Sequence, residues 1–326
     1  MSAWEEDMGS FVKGTSLRAA LLVSASVMSL AVASPEVWAA DMPTKATYKA
    51  APIEPLPVWT WYLEGGGFNT SGGTLFGADE TKARPGWEGA IGLDYRIAGS
   101  PWHVSAQFRY GKSVERNSPT SGYFTGAGIG TAFVVGNLNH KESHAVADFA
   151  VGHDIGIGTG QAQLKFGVRV VDLSAKSTAT GTIITAVPSG ICNTVPGCAG
   201  GVISFESRFV GAGPRGSIEG SQPIMGPLAV EYMGGVAYLY GTRSFNVTAS
   251  APGLGSTAFG TSDVTGIFNA DASLGLSYAF SKAAKVTLGY RYDGYWGAMK
   301  MLDSNLNMVN NDRAYYGPFL RFTGAF

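Results

Sequence analysis

Strict alternation of apolar and polar residues constrains this chain more than any other feature. Within residues 161–173, Leu164, Phe166 and Val168 alternate with polar residues such as Lys165. An amphipathic helix would instead place its apolar residues three and four positions apart. The alternation therefore predicts β-strands that have one apolar face and one polar face.

Ten segments of the chain carry this alternation. They cover residues 59–68, 86–97, 102–111, 144–155, 161–173, 206–221, 228–240, 267–280, 285–297 and 313–326. Several of them reach ten residues or more, whereas strands in globular proteins are most often about five or six residues long. A tilted strand that crosses a bilayer needs about 9–11 residues. The lengths therefore favour strands that cross a membrane.

The connections between these segments alternate between short and long. The short ones cover residues 98–101, 156–160, 222–227 and 281–284, and the long ones cover residues 69–85, 112–143, 174–205, 241–266 and 298–312. Bacterial outer-membrane barrels have even strand numbers, short periplasmic turns and longer extracellular loops. The sequence therefore predicts an all-β, antiparallel, up-and-down transmembrane β-barrel of ten strands with both termini in the periplasm. A strand pair within a long loop would raise the number to twelve.

Composition separates this barrel from a soluble β-sandwich, which also alternates apolar and polar residues. Asp, Glu, Lys and Arg make up 14% of the chain, against about a quarter in ordinary soluble proteins. The polar faces carry Gly, Ser, Gln and isolated charges, a mixture that suits a confined lumen better than a water-exposed surface. A net charge of -1 gives no basic surface for nucleic acid.

Aromatic residues cluster at the ends of the predicted strands. They are Trp59, Trp61, Tyr62, Tyr238, Tyr240, Tyr278, Phe280, Tyr292, Tyr295, Trp296, Tyr315 and Tyr316. These positions are expected to form the two aromatic girdles that flank the apolar band of a barrel. The last strand places Phe322 and Phe326 in alternation and resembles the C-terminal assembly signal of bacterial outer-membrane proteins, which implies the barrel-assembly machinery as a partner.

The N-terminal residues resemble a secretory signal. Lys13 and Arg18 precede the apolar run 19–33, which is shorter than the roughly 20 residues of a membrane-spanning helix. The sequence predicts a cleaved signal peptide over 1–40, a Pro-rich periplasmic linker over 41–58 and the barrel over 59–326. Met8 is an alternative start to Met1. The expected location is the outer membrane of a Gram-negative bacterium.

The charged residues on the inward faces are the candidate functional residues. They are Glu88, Asp94, Arg96, Arg109, Asp148, Lys165, Arg169, Arg215, Glu219, Glu231, Asp271, Arg291, Asp293 and Arg321. One interpretation is a polar conduit of low ion selectivity, because the two signs nearly balance. The other is a lumen closed by ion pairs, because a ten-stranded barrel is closer in size to the filled eight-stranded barrels than to the open porins. Both interpretations stay open at this point.

Cysteine and glycine motifs give no sign of a metal or cofactor. Cys192 and Cys198 lie in a predicted extracellular loop of an exported chain and are expected to form a local disulfide. No histidine lies near them, so no metal site is expected. The run Gly211–Gly216 matches the glycine spacing of a dinucleotide-binding loop, but no helix pattern follows it. No cofactor is expected.

The histidines do not suggest an enzyme. They are His103, His140, His144 and His153. A barrel protease would need acidic pairs facing an Asp-His pair, and none is matched to His153 and Asp154. A lipid A deacylase would need a serine beside a lipid-facing histidine, and we expect no ordered serine partner for His140 or His144.

The stretch Gly211–Ser221, followed by Gly234–Ala237 and Leu239–Gly241, resembles the Legionella-type major outer membrane protein family. Cleavage is expected after Ala39 or Ala40, and the stretch Ala40–Pro43 with the Pro-rich linker resembles the mature start of porin-like proteins of alphaproteobacteria. The resemblance implies a pore, with adhesion through the loops as a further role, and it supplies no catalytic residues.

The expected function is therefore passive, weakly selective diffusion of small solutes through a narrow polar lumen. The alternative is a structural or adhesive surface barrel with a closed lumen, acting through loops 112–143, 174–205 and 241–266. The expected partners are outer-membrane lipid, lipopolysaccharide and small solutes, and no nucleic acid.

Overall fold

The computed structural model describes residues 58–72, 84–126, 130–157, 160–185, 200–251, 255–302 and 307–326. These residues form eleven strands: β1 (Trp59–Ser71), β2 (Arg84–Arg96), β3 (Trp102–Ser113), β4 (Arg116–Gly126), β5 (Gly130–Ile157), β6 (Gly160–Thr185), β7 (Gly200–Met225), β8 (Leu228–Ala251), β9 (Gly255–Ser281), β10 (Ala284–Leu302) and β11 (Met308–Ala325). Within the described ranges, no helix is long and apolar enough to span a membrane. The predicted signal peptide and linker, and Cys192 with Cys198, lie outside the described residues and stay predictions.

Ten of the strands close into an antiparallel ring. Each pairs with its neighbour in the chain, β1 also pairs with β11, and β3 pairs with β5. The remaining strand, β4, lies outside the ring and forms a hairpin with the outer part of β5. The predicted ten-stranded barrel is therefore confirmed, and the extra hairpin contributes no strand pair to the ring.

The two ends of the barrel wall meet at one rim. Trp59 and Phe326 exchange backbone hydrogen bonds, both at 3.0 Å. The short connections lie at this same rim, and one of them turns at Gly226, whose φ of 55° favours glycine. This rim has the features of the periplasmic end of an outer-membrane barrel.

Most of the predicted long loops are wrong in extent, because the strands continue through them. β6 runs to Thr185 and β7 begins at Gly200, so much of the predicted loop 174–205 is strand. β8 ends at Ala251 and β9 begins at Gly255, so the predicted loop 241–266 is almost entirely strand. In the same way, β4 and the outer part of β5 occupy much of 112–143, and β10 and β11 extend into 298–312.

The physical reason is an inversion of polarity along each strand. In the lower part of β6, Val168 faces outward and is 48% exposed, while Arg169 faces inward and is fully buried. Further along the same strand, Leu173 faces inward and is fully buried, while Ser174 and Lys176 face outward. The lower wall meets hydrocarbon and the upper wall meets water, so the apolar residues change face at the membrane boundary. A pattern of outward apolar residues therefore marks only the lower parts of the strands.

Aromatic pairs mark both edges of the apolar band. Trp59 and Tyr95 pack with ring centroids 4.6 Å apart near the periplasmic rim, and Trp87 packs with Tyr110 at 6.0 Å near the other edge. Three of the predicted girdle residues are wrong, because Tyr62, Tyr295 and Tyr315 face the interior. The C-terminal residues Phe322 and Phe326 are exposed on the outer surface, at 40% and 72%.

Candidate functional site

Arg169 lies at the centre of the barrel interior. Its Nε and Nη2 each donate to one carboxylate oxygen of Asp148 at 2.7 Å. Its Nη1 donates to Asp271 at 2.9 Å and to Asn269 at 2.7 Å. Asp148 lies on β5, Arg169 on β6 and the other two residues on β9. One fully buried guanidinium therefore joins walls that are not adjacent in the ring.

This arrangement extends into a network across the lumen, which we call the charge layer. Arg215 on β7 donates to Asp271 at 2.8 Å, and Arg109 on β3 forms an ion pair with Asp293 on β10. The full set is Glu64, Glu88, Arg109, Asp148, Arg169, Arg215, Asn269, Asp271, Arg291, Asp293 and Arg321. Each buried charge in this layer has an oppositely charged partner, and the loss of one partner would leave the other charge buried without compensation.

Glu64 is the member of the charge layer that sequence reasoning missed. Its carboxylate accepts from Arg291 at 2.6 and 2.9 Å and from Arg321 at 2.8 Å. Its position between outward-facing neighbours on β1 is a signal that could have identified it. Asn269 was also missed, because a single amide on a long strand carries no distinctive pattern.

All fourteen charged residues predicted to face the lumen do face it. Each has an oppositely charged partner within 4.0 Å. The structure thus brings Asp94, Lys165 and Glu219 together, and it pairs Glu231 with Lys285. Whether these side chains line a path for solutes stays a prediction.

A polar cavity of about 520 Å³ lies between the charge layer and the periplasmic rim. His103 lies in its wall, with Nδ1 2.9 Å from Asp94 and Nε2 2.7 Å from Asp154. Gln107, Gln163 and Tyr62 also line it. The cavity is large enough for water and small polar molecules.

A second packed layer of the interior, which we call the apolar layer, lies above the charge layer. It consists of inward side chains that include Val171, Leu173, Phe205, Phe209, Leu239, Phe245, Ile267, Ala298 and Met299, all at most 6% exposed. The upper interior is thus packed like the core of a soluble protein. Close packing of this kind leaves little room for a water-filled path.

A bulge in β10 contributes the centre of the apolar layer. The pairing register with β11 shifts between Tyr295 and Met299, and Gly297 has a φ of 71°. Its carbonyl accepts from Arg243 at 2.6 Å, and just beyond it the Lys300 amide donates to Ser207 on β7 at 2.9 Å. Because β9 and β8 separate β10 from β7 in the ring, this bond from a backbone amide to the Ser207 hydroxyl reaches across the interior.

His140 does have a serine partner, so the expectation from the sequence is wrong. His140 and Ser177 are directly opposite on β5 and β6, with Nδ1 2.6 Å from Oγ. Nε2 lies 2.7 Å from Glu142, a carboxylate that also accepts from Arg84 at 2.7 Å. The cross-strand register, which the sequence does not reveal, creates this contact.

The cluster of His140, Ser177, Glu142 and Arg84 lies above the apolar band. Its environment keeps the imidazole of His140 neutral. Burial, together with the charges of Arg84 and Arg313, lowers the pKa of His140 against the opposing effect of Glu142. Burial alone would raise the pKa of Glu142, but Arg313, His140 and Arg84 together lower it to about 2. Nε2 lies between the ionised Glu142, which only accepts hydrogen bonds, and Arg84 Nη1 at 2.9 Å, which only donates them. With the proton on Nε2, this nitrogen donates to Glu142 and Nδ1 accepts from Ser177. The connectivity is that of a nucleophile, base and carboxylate, yet Ser177 is fully buried.

A closed antiparallel barrel with an apolar outer band, two aromatic girdles and a polar lower interior defines an outer-membrane β-barrel protein. The family model described as "Legionella pneumophila major outer membrane protein precursor" matches residues 73–325. The chain therefore belongs to this major outer membrane protein family, as its motifs suggested. Its location is the outer membrane of a Gram-negative bacterium.

Solved outer-membrane proteins are similar to the chain at low identity. The outer membrane protease OmpT from Escherichia coli is 12% identical, with 82% of this chain and 96% of that chain covered and a TM-score of 0.48. A major outer membrane protein from Thermus thermophilus is 14% identical, with 82% and 99% covered and a TM-score of 0.34. Neisserial surface protein A is 10% identical, with 84% and 100% covered and a TM-score of 0.29. No curated protein matches the chain.

Proposed function

We propose that this protein is a surface barrel with a closed lumen, whose activity resides in the part of the wall that projects from the membrane. One observation carries the proposal. The interior is crossed twice, first by the charge layer around Arg169 and then by the apolar layer around the β10 bulge. A passive pore needs a continuous wet path, and two consecutive packed layers among the described residues argue against one.

The projecting wall supports the same proposal. The last fifteen residues of β6, from Val171 to Thr185, extend roughly 35 Å at the usual rise and tilt of barrel strands. The inward side chains Leu173, Phe205 and Phe245 belong to one buried cluster inside this wall. A packed wall of this height suits the presentation of a surface to other molecules or neighbouring cells.

Passive diffusion of small solutes is the second candidate, and the periplasmic cavity favours it. This cavity of about 520 Å³ is polar and lies in the lower half of the barrel. If the β10 bulge moved aside, the charge layer would still separate the cavity from the upper interior. A pore therefore requires rearrangement of both layers.

Single-channel conductance distinguishes the two candidates. The folded chain, verified by heat-modifiable gel mobility, is inserted into a planar bilayer beside a known porin as positive control. A closed lumen predicts no discrete steps from the folded protein. Discrete, reproducible steps would overturn the proposal, and Glu88→Ala and Arg109→Ala should then shift ion selectivity in opposite directions.

A further inference from the structure

Among the side chains that the structure describes, the basic residues on the outer surface above the apolar band are confined to one side of the barrel. They are Lys112 on β3, Lys141 on β5, Lys176 on β6 and Arg208 on β7. These four strands are consecutive in the ring. All other Lys and Arg side chains that the structure describes are inward-facing, buried or at the periplasmic rim. We call these four residues the basic patch.

The pairing register places the patch in two adjacent rows. Lys112 is opposite Ser143, Ser143 is opposite Ser174, and Ser174 is opposite Arg208. One step further from the membrane, Lys141 is directly opposite Lys176. Opposed residues on paired strands have Cβ atoms about 4.5–5.5 Å apart, and like charges at that spacing repel each other. A bound anion would turn this repulsion into attraction.

Protein carboxylates neutralise this patch only in part. Arg208 donates to Asp172 at 2.9 and 2.6 Å, and Lys141 lies 3.5 Å from Glu115. Glu206 is directly opposite Lys176, but among the residues that the structure describes no carboxylate lies within ion-pair distance of Lys112 or Lys176. The side chains of Ser143 and Ser174 lie between the cations and add hydroxyl groups that can donate to an anion.

The height of the patch identifies the anion as part of a lipid. Lys112 is directly opposite Trp87, which packs on Tyr110 in the outer girdle. Below the girdle, Phe108 and Val170 are exposed toward the hydrocarbon, at 48% and 40%. A lipid whose acyl chains covered this apolar surface would place its headgroup beside the four cations.

We propose that the basic patch binds the phosphate groups of a phosphorylated glycolipid in the outer leaflet. Lys141 and Lys176 hold one phosphate between them by charge-assisted hydrogen bonds. Lys112 and Arg208 flank it one row closer to the membrane. This proposal is independent of whether the lumen conducts.

The test titrates diphosphorylated lipid A into the folded full chain in neutral detergent and follows binding and the midpoint of thermal unfolding. The wild type should bind and be stabilised. Replacing two membrane-surface lysines in the variant Lys141→Gln, Lys176→Gln should weaken binding about 30-fold. Lys282→Gln, at the periplasmic rim, is the matched control and should bind like the wild type. Glu206→Gln, which removes an acid opposite Lys176, should strengthen binding.

Two further titrations distinguish a lipid site from a simple ion site. Inorganic phosphate at the same concentration should give no stabilisation, and equal stabilisation would mean an ion site and overturn the lipid assignment. Dephosphorylated lipid A should bind as weakly as the double variant does. If the double variant, shown to be folded by gel mobility, bound diphosphorylated lipid A like the wild type, the proposal would be wrong.

Discussion

Arg169 and Asp148 form a two-bonded ion pair in the centre of the barrel, with both donor–acceptor distances at 2.7 Å. Arg208 and Asp172 form a similar pair, at 2.9 and 2.6 Å, on the exposed surface. The two pairs share their chemistry and differ in environment. Arg169 is fully buried, whereas the side chains of Arg208 and Asp172 are 50% and 39% exposed.

The buried pair should matter far more for stability than the exposed pair. Arg169→Met removes one of the two cations that Asp148 and Asp271 share, leaving Arg215 as the other. Removing one partner of a buried pair costs about 3–5 kcal/mol. Arg208→Met should cost at most about 1 kcal/mol, because water screens the exposed charges. Urea unfolding in phosphatidylcholine vesicles measures both free energies. Equal losses would show that the charge layer is hydrated.

The lipid-facing register predicts a second contrast, between two neighbouring residues. Leu164 faces outward and is 37% exposed, while Gln163 lines the inner cavity. Leu164→Arg should cost about 2–4 kcal/mol, because it places a charge in hydrocarbon, and Leu93→Arg should cost about the same. Gln163→Arg should cost little. Folding free energies from vesicle titrations test the register, and similar losses for Leu164→Arg and Gln163→Arg would contradict it.

The apolar layer should behave as a hydrophobic core. Phe245 is fully buried above the membrane, whereas Phe259, on the neighbouring strand β9, is 62% exposed. Phe245→Ala should lower the free energy of unfolding by about 3–5 kcal/mol. Phe259→Ala should change it by less than about 0.5 kcal/mol. An unfolding titration that found no difference would mean that the upper interior is not packed.

Stability should fall as the pH is lowered, in two ranges. Because the pKa of His140 is lowered in the folded protein, the unfolded chain binds more protons below about pH 6.5, and stability is lost as the pH falls from there. The pKa of Glu142 is lowered from 4.5 to about 2, so its contribution is present above pH 4.5 and lost between 4.5 and about 2.

The variant His140→Gln separates these two ranges. It should remove the loss of stability that begins near pH 6.5. The loss below pH 4.5 should become smaller but persist, because Arg313 and Arg84 still lower the pKa of Glu142 without His140. His153→Gln, at the opposite end of the barrel, is the control and should keep the wild-type profile. Unfolding midpoints measured across pH provide the test. If His140→Gln lost as much stability as the wild type when the pH fell below about 6.5, a group other than His140 would be responsible for that loss.

The transmembrane half of the fold could be predicted from the sequence because one physical rule acts on every residue there. Leu164 and Leu93 must face lipid, so Gln163 and Asp94 must face inward, and the alternation shows both. The upper half obeys the same geometry with the opposite polarity. Leu173, Ala175 and Phe205 face inward there because water lies outside. A search for outward-facing apolar residues therefore misses these strand segments and classifies them as loops.

The sequence by itself determined the barrel, its ten strands, its membrane location and the inward position of the fourteen charged residues. Alternation specifies which face a side chain takes, but not which side chain it meets across the ring. Only the tertiary structure decided that Arg169 meets Asp148 and Asp271, that the β10 bulge crosses to β7, and that His140 meets Ser177. These contacts depend on strand register and curvature, which are set by the whole closed sheet rather than by any segment of it.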